Sequence, residues 1–282
     1  MGLGRSAIAL LLEEAALRPF SGKIATLGRQ TIGANAEQIK AEFKRFGVVP
    51  KHEPTTVTDD QLFRMMGFSG VESIDNDDYE NATHILDLNQ NSMPPQILGQ
   101  FDVVLDGGTL EHVFHVPNAL RNALSLLKPG GRIIFLSPST NHVDHGFYMF
   151  SPTLFMDYLL TNGFSIQTFY FIRYSLNSRK RWRAYAYERD SFRHFSIGSL
   201  DSRPYMNFVV ATKIPGATID KIPQQTFYLD QWANKTALRT TGRFARLETI
   251  LSRIPGALDL AIAVWPLVAR RGRWGLRYVG DF

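Results

Sequence analysis

The chain has 282 residues, of which 44% are hydrophobic and 20% charged, a balance that excludes a disordered chain and suits one large domain or a domain with an appendage. It has no cysteine, which excludes disulfides, cysteine-rich zinc sites and a thiol nucleophile. The formal charge of +5 divides unevenly: residues 1–170 hold 12 basic and 18 acidic residues, residues 171–282 hold 19 and 8.

The first apolar run, Ala7 to Leu12, stops at Glu13 and Glu14. It falls well short of the ~20 residues of a spanning helix and lacks a signal-peptide pattern, so it reads as an N-terminal helix packed on the body. MGLGRS also fits the loose myristoylation pattern through Gly2 and Ser6, and the packed helix is preferred. From Lys23 onwards strand and helix signals alternate. Lys23–Gly28 reads as a buried strand, Ala34–Phe46 as a helix with Ile39, Phe43 and Phe46 on one face, and Asp59–Met66 as a short helix capped by Thr58 or Asp59. Val71–Asp75, Thr83–Leu88 and Phe101–Asp106 read as three further strands. A helix opening near Pro117 carries Leu120, Leu124 and Leu127, and the run Lys128-Pro129-Gly130-Gly131 stops it. Arg132–Ser137 is a fifth strand, and Ser151–Thr161 is a helix with Ser151 as cap and Pro152 in its first turn. Phe164–Tyr174 and Tyr205–Lys213 are the last two strands and suit an antiparallel edge.

This alternation predicts an α/β fold, a seven-stranded, mostly parallel, doubly wound sheet, with ligands bound beyond the carboxyl ends of its strands. The expected division is an N-terminal helix over 1–20, the α/β domain over 21–215 and a basic C-terminal helical extension over 216–282. In that extension Gly216–Gln225 reads as a linker and 229–253 and 256–270 as helical stretches. The apolar part Ala257–Ala269 contains Asp259 and Pro266, and Arg270, Arg271, Arg273 and Arg277 follow. It reads as a helix docked on the core or a membrane-surface element.

The segment FDVVLDGGTLEHVFHVPNALRNALSLLKPGGRIIFLSP, residues 101–138, resembles class I S-adenosylmethionine-dependent methyltransferases of a type 11-like kind. With the seven strands from Gly22 to Lys213, the resemblance covers about two-thirds of the chain and implies a Rossmann-like methyltransferase fold with S-adenosylmethionine as cofactor. It implies four groups of cofactor contacts. The loop after strand one contributes Gly28, Arg29 and Gln30. Asp75 ends strand two and is placed for the ribose diol, which an acceptor-only carboxylate suits. Asp87 and Leu88 follow strand three, near the adenine. Asp106, Gly107 and Gly108 follow strand four, near the sulfonium and amino end. Each has a plainer reading: Asp75 in the solvated run Asp75-Asn76-Asp77-Asp78, Asp87 capping the next turn, Asp106 serving the turn that Gly107 and Gly108 permit. The first loop departs from the family's glycine-rich pattern, because it reads Gly28-Arg29-Gln30-Thr31-Ile32-Gly33 and sets Arg29 near a cationic sulfonium unless that side chain turns away.

Methyl transfer from a sulfonium needs an aligned nucleophile and, for a hydroxyl or amine, a proton acceptor. Two clusters suit that work. Glu111-His112 and His115 follow strand four, where a capping or packing role competes with catalysis by His112 or Glu111. Asn141-His142-Val143-Asp144-His145-Gly146-Phe147-Tyr148 follows strand five. There His145 is the first choice for general base, with Asp144 beside it, and His142 and Tyr148 line the acceptor pocket. No metal centre is expected, since His142, Asp144 and His145 match no known metal motif. Between the last two strands Arg179, Lys180, Arg181 and Arg183 interleave with Trp182, Tyr185 and Tyr187. Arg181 and Trp182 are the candidate contacts for an anionic substrate, a solvated basic hairpin being the alternative and single-stranded nucleic acid a lesser one.

The leading expectation is therefore a cytoplasmic methyltransferase, O- or N-directed, acting on an anionic small-molecule or glycan acceptor, with peripheral contact at the inner membrane face through the C-terminal segment. The alternative is a non-catalytic methyltransferase-like binding module with an altered cofactor loop. A dinucleotide enzyme is disfavoured by the lack of G-x-G-x-x-G.

Overall fold

The structure, a computed structural model, describes residues 2–52, 57–177, 180–189, 200–234, 250–251, 253–257, 260 and 276–282. In chain order its elements are β1 (Gly2–Leu3), α1 (Arg5–Leu17), β2 (Lys23–Leu27), β3 (Thr31–Ile32), α2 (Ala36–Phe46), α3 (Asp59–Met66), β4 (Gly70–Asp75), β5 (His84–Ile85), β6 (Phe101–Asp106), α4 (Val116–Ser125), β7 (Leu127–Thr140), α5 (Pro152–Thr161), β8 (Ser165–Arg173), β9 (Arg183–Ala186), β10 (Tyr205–Thr212), α6 (Thr226–Asn234) and β11 (Arg277–Asp281). Short 3-10 turns lie at Pro95–Ile97 and Leu110–His112.

The main sheet has the order β11-β9-β8-β10-β7-β6-β2-β4-β5. Its five strands from β7 to β5 are parallel to one another. β10 enters antiparallel between β7 and β8, the antiparallel edge expected from the sequence. The seven anticipated strands are thus all present. Two more, β9 and β11, extend the edge beyond β8. The sequence reading placed no strand in the C-terminal extension, whereas its last residues return to the sheet as β11. That strand is short and polar, so alternation alone does not expose it.

Alternate residues of the parallel strands feed two apolar layers. Val103, Leu105, Ile134 and Leu136 face α1, α2 and α3. Val104, Ile133 and Phe135 face α4 and α5. That is the period-2 signature of a sheet covered on both sides. Helix α1 is apolar almost all round and buried over most of its length, so it belongs to the core. Capping boxes start α2 (Asn35 with Gln38) and α3 (Thr58 with Gln61).

Two buried glutamates tie the first layer together. Glu14 pairs with Arg18 and, at 2.6 Å, with Arg132 of β7, joining α1 to the sheet. Glu42 of α2, 1% exposed, meets Arg5 at 2.6 Å, Arg181 at 2.9 Å and Arg45 at 3.4 Å. Burial works to raise its pKa, but hydrogen bonds from Arg181 and Arg5 outweigh it and hold the carboxyl below its ordinary value.

No helix of the described residues is long and apolar enough to cross a membrane. Arg179, most of the expected helical stretches and most of the segment from 257 to 273 lie outside the described residues.

The Glu42 cluster yields a stability expectation. Glu42→Gln leaves arginines around a neutral amide. Removing one partner of a buried ion pair costs 3–5 kcal/mol, and these arginines are one-third exposed, so we expect a loss of about 2 kcal/mol at pH 7 in denaturant unfolding. A depressed folded pKa gives stability that is present above the unfolded value, about 4.3, and is lost as pH falls through the folded one. The difference between the wild type and the variant therefore shrinks below about pH 4. An equal difference at pH 7 and at pH 3 would remove Glu42 from this role.

Candidate active site

The five parallel strands end on one edge, and the strand order reverses between β2 and β6, which opens a crevice there. Gly28 sits in that crevice at φ 69°, the left-handed region, with its amide on the Ile74 carbonyl at 2.7 Å. A Cβ at Gly28 would lie 3.1 Å from Thr109 Oγ1 and 3.6 Å from Asp75 Oδ2, so the ends of β2, β4 and β6 converge on this one residue. The Thr109 hydroxyl donates to the Leu27 carbonyl at 2.6 Å and fixes the third loop on the first. Asp75 accepts the Asn76 amide at Oδ1, 2.7 Å, and its other oxygen is the one beside Gly28.

The first loop does not present its two long side chains as the resemblance implied. Arg29 turns away and donates to Asp59, the first residue of α3, at 2.8 Å. The Gln30 side chain is buried and folds back across Gly107. Its Nε2 donates to the Leu27 and Gly28 carbonyls, both at 3.2 Å, while its Oε1 has no donor among the described residues. A Cβ at Gly107 would collide with that amide, so a larger residue there would push the Gln30 side chain aside.

Two of the anticipated acids are committed elsewhere. Asp106 is 0% exposed. Its Oδ1 accepts the amides of Gly108, Thr109 and Leu110 at 3.3, 2.8 and 3.2 Å, and its Oδ2 accepts the Ser137 hydroxyl at 2.7 Å. It organises the turn after β6, with both oxygens engaged by the protein, whereas the resemblance set it against the sulfonium. Asp87 accepts the Asn89 amide at 2.8 Å and the Asn89 side chain at 2.7 Å, and these bonds hold its carboxyl below the ordinary range. It caps its own turn, and the Leu88 amide beside it has no acceptor among the described residues.

The turn that Asp106 shapes carries Glu111 and His112. Glu111 is 0% exposed, and neither of its carboxylate oxygens has a hydrogen-bond donor among the described residues. Burial, with the charge of Asp106 adding to it, pushes its pKa up to about 8. The loop after β7 lies directly on this residue. The Glu111 carbonyl accepts the amides of Phe147 and Tyr148 at 2.8 and 3.2 Å. A Cβ at Gly146 would stand 2.8 Å from the same oxygen, so only glycine admits this approach. The loop therefore brings the His145 Nε2 to 3.6 Å from Glu111 Oε1, outside hydrogen-bond reach, and the His112 and His145 rings to 5.2 Å. Burial first, then the charge of His145, lowers the pKa of His112. Asp144 is exposed at φ 62° and lies outside this group, so Glu111 takes the place expected of it.

A row of rings runs outward from the cluster. His142 lies 5.7 Å from His145 and stacks on Tyr174 at 5.2 Å, and Tyr174 meets Trp182 edge-on at 5.4 Å. Tyr174 also lines a cavity of about 520 Å³ walled by Arg173, Lys180, Arg181, Arg183 and Arg203, with Asp281. Of the anticipated acceptor contacts, Arg181 reaches this wall but pairs with Glu42. Trp182 does not line it: its amide goes to the Phe282 carbonyl and its indole N–H to the Ser175 carbonyl. The Tyr148 hydroxyl is taken by the Phe114 carbonyl at 2.8 Å. Arg173, Tyr174 and Arg203 went unremarked as site residues, since strand-end and loop positions carry no pattern to mark them.

The family model that matches the chain is Methyltransf_23, a methyltransferase domain, over residues 34–203. None of the curated proteins matches. Among solved structures, the chain is similar to an S-adenosylmethionine-dependent methyltransferase from Mesorhizobium loti (14% identity, 73% of this chain and 98% of that one, TM-score 0.41). It is also similar to the Burkholderia thailandensis 1,6-didemethyltoxoflavin-N1-methyltransferase with bound 1,6-didemethyltoxoflavin and S-adenosylhomocysteine (13%, 74% and 78%, TM-score 0.36). A geranyl diphosphate methyltransferase in complex with GPP and sinefungin is a third (12%, 74% and 78%, TM-score 0.42).

If Asp106 is the organiser of its loop, Asp106→Ala strands three amides and a buried hydroxyl. We expect a loss of about 3 kcal/mol in denaturant unfolding at pH 7. A variant as stable as the wild type would return Asp106 to a ligand-facing role.

Proposed function

The chain belongs to the methyltransferase-domain family, and from that premise we propose that it transfers a methyl group from S-adenosylmethionine to an anionic small-molecule or glycan acceptor, at oxygen or nitrogen. The observation that carries the reading is the convergence of three strand ends on Gly28, with one Asp75 oxygen beside it.

The residues present fit the cofactor. Asp75 keeps an oxygen for a diol, the Leu88 amide is open to a ring nitrogen, and the buried Gln30 Oε1 is an acceptor in want of a donor, which an ammonium group supplies. The left-handed backbone at Gly28 and Gly108 shapes the loops that face the crevice, and Arg29, spent on Asp59, keeps its charge on another partner. When bound, the cofactor supplies an electrophilic methyl group on a sulfonium. The chain's own work is to hold that group, align the acceptor and handle its proton. The alignment falls to the loop of residues 141–150, locked on the Glu111 carbonyl. Deprotonation falls to Glu111, His112 and His145, the titratable side chains nearest the loop that would align the acceptor. Asp144 has no part in this reading.

The anionic character of the acceptor is read from the cavity beside Tyr174. Five cationic side chains line it; Arg181, Arg183 and Arg203 pair with Glu42, Asp281 and Asp201, which leaves Arg173 and Lys180 without an acid partner among the described residues, and its rings lead back to His145. A phosphate- or carboxylate-bearing acceptor would rest its anionic group among Arg173, Lys180 and Arg203 and its reacting end by the histidines. The peripheral membrane contact stays a reading of the C-terminal sequence.

Calorimetric titration of the full chain with S-adenosylmethionine and S-adenosylhomocysteine tests the cofactor. Both are expected to bind, and Asp75→Ala is expected to weaken binding at least tenfold, about 1.4 kcal/mol, with unfolding unchanged. No heat with near-millimolar cofactor would leave the non-catalytic module. Pyrophosphate probes the cavity: it is expected to bind and to lose at least tenfold in affinity in Arg173→Glu/Arg203→Glu, about 1.4 kcal/mol. Equal affinity in that variant would sink the anionic assignment.

A further inference from the structure

Glu111 poses a physical problem that nothing in the fold resolves. Its carboxyl group is fully enclosed, and among the described residues neither oxygen receives a hydrogen bond. Enclosed carboxylates are ordinarily paired, hydrogen-bonded or metal-bound. No lysine or arginine reaches it among the described residues. What does surround it is a pair of imidazoles: one ligand atom each from Glu111, His112 and His145 lies within 4.8 Å of the others. The two rings are tilted by 59° and are not stacked on each other, which leaves their nitrogens free to converge.

We infer that Glu111, His112 and His145 bind one divalent transition-metal ion. Two imidazoles and one carboxylate make a three-ligand set with the remaining coordination positions open, which suits zinc, cobalt, manganese or iron more than magnesium or calcium. A dication between the three would supply the charge that Glu111 lacks. His145, whose side chain is 43% exposed, sets the open positions on the solvent side, where an acceptor would enter. The chain holds the ligands in place beforehand. Glu111 and His112 are adjacent on the turn that Asp106 organises, and the loop carrying His145 is fastened by two amides to the Glu111 carbonyl, with Gly146 allowing the contact. Sequence spacing alone gives no sign of the set, because His145 lies 33 positions after His112 and joins it only when β7 has run its length. The site's existence is independent of the methyltransferase reading; only its use on an acceptor rests on that reading.

The test uses the full chain, stripped with a chelator, dialysed and titrated with Co²⁺ and Zn²⁺ without cofactor. We expect one ion per chain with a dissociation constant of about 10 μM or tighter, roughly −7 kcal/mol. Bound Co²⁺ is expected to give a visible absorption band. His145→Ala, at an exposed position, is expected to lose at least tenfold in affinity, and Glu111→Gln to do the same. His115→Ala, outside the cluster, is expected to bind as the wild type does. No saturable binding up to millimolar metal would overturn the inference, and so would equal binding by His145→Ala.

Discussion

Among the described residues neither oxygen of the Glu111 carboxyl has a donor, although the side chain is wholly enclosed. A buried carboxyl group without a partner is costly to ionise, and burial with the charge of Asp106 accordingly pushes its pKa up to about 8. The surrounding features follow from holding it there. Asp106 gathers three amides to form the turn that points Glu111 inward. The following carbonyl anchors the loop from β7, and Gly146 makes that anchoring possible. His112 and His145 then stand with one ring nitrogen each within 4.8 Å of the carboxyl group.

The sheet supplies the rigidity behind this arrangement. The strands that bear the two loops, β6 and β7, lie side by side in its middle, paired in parallel and flanked by apolar layers on both faces. Functional side chains on such strand ends are held more tightly than on free loops. Ion pairs at Glu14 and Glu42 fasten α1 and α2 to the sheet and to the late basic segment. Charge asymmetry along the chain thereby becomes structure. Part of the basic second half neutralises buried acids of the first, as Arg181 does at Glu42. Another part, Arg173, Lys180 and Arg203, lines the cavity.

Most of the scaffold was legible in the sequence because period-2 and period-3.6 patterns are local. Phe101–Asp106 and Asp59–Met66 match the expected bounds to the residue, and Ser151 and Thr58 act as the caps their positions suggest. What was not legible depends on contacts between distant segments. Asp106 and Asp87 carry the same residue type whether they face a ligand or their own backbone, and only the fold shows the second. Arg29 finds Asp59 thirty positions away. Asp144 stood next to His145 in the chain but is exposed and outside the cluster, whereas Glu111, weighed as catalytic or packing, lies within it. Strand β11 escaped because its pairing, not its composition, makes it a strand.

The central claim is that one crevice holds the cofactor at Gly28 and Asp75 and opens toward the Glu111–His145 face. A crystal structure of the full chain with S-adenosylhomocysteine tests it most directly. The account expects the ribose hydroxyls on Asp75, the amino end by Gln30, and the sulfur directed toward Glu111, His112 and His145. A ligand bound elsewhere on the sheet, or with its sulfur turned from that cluster, would contradict it.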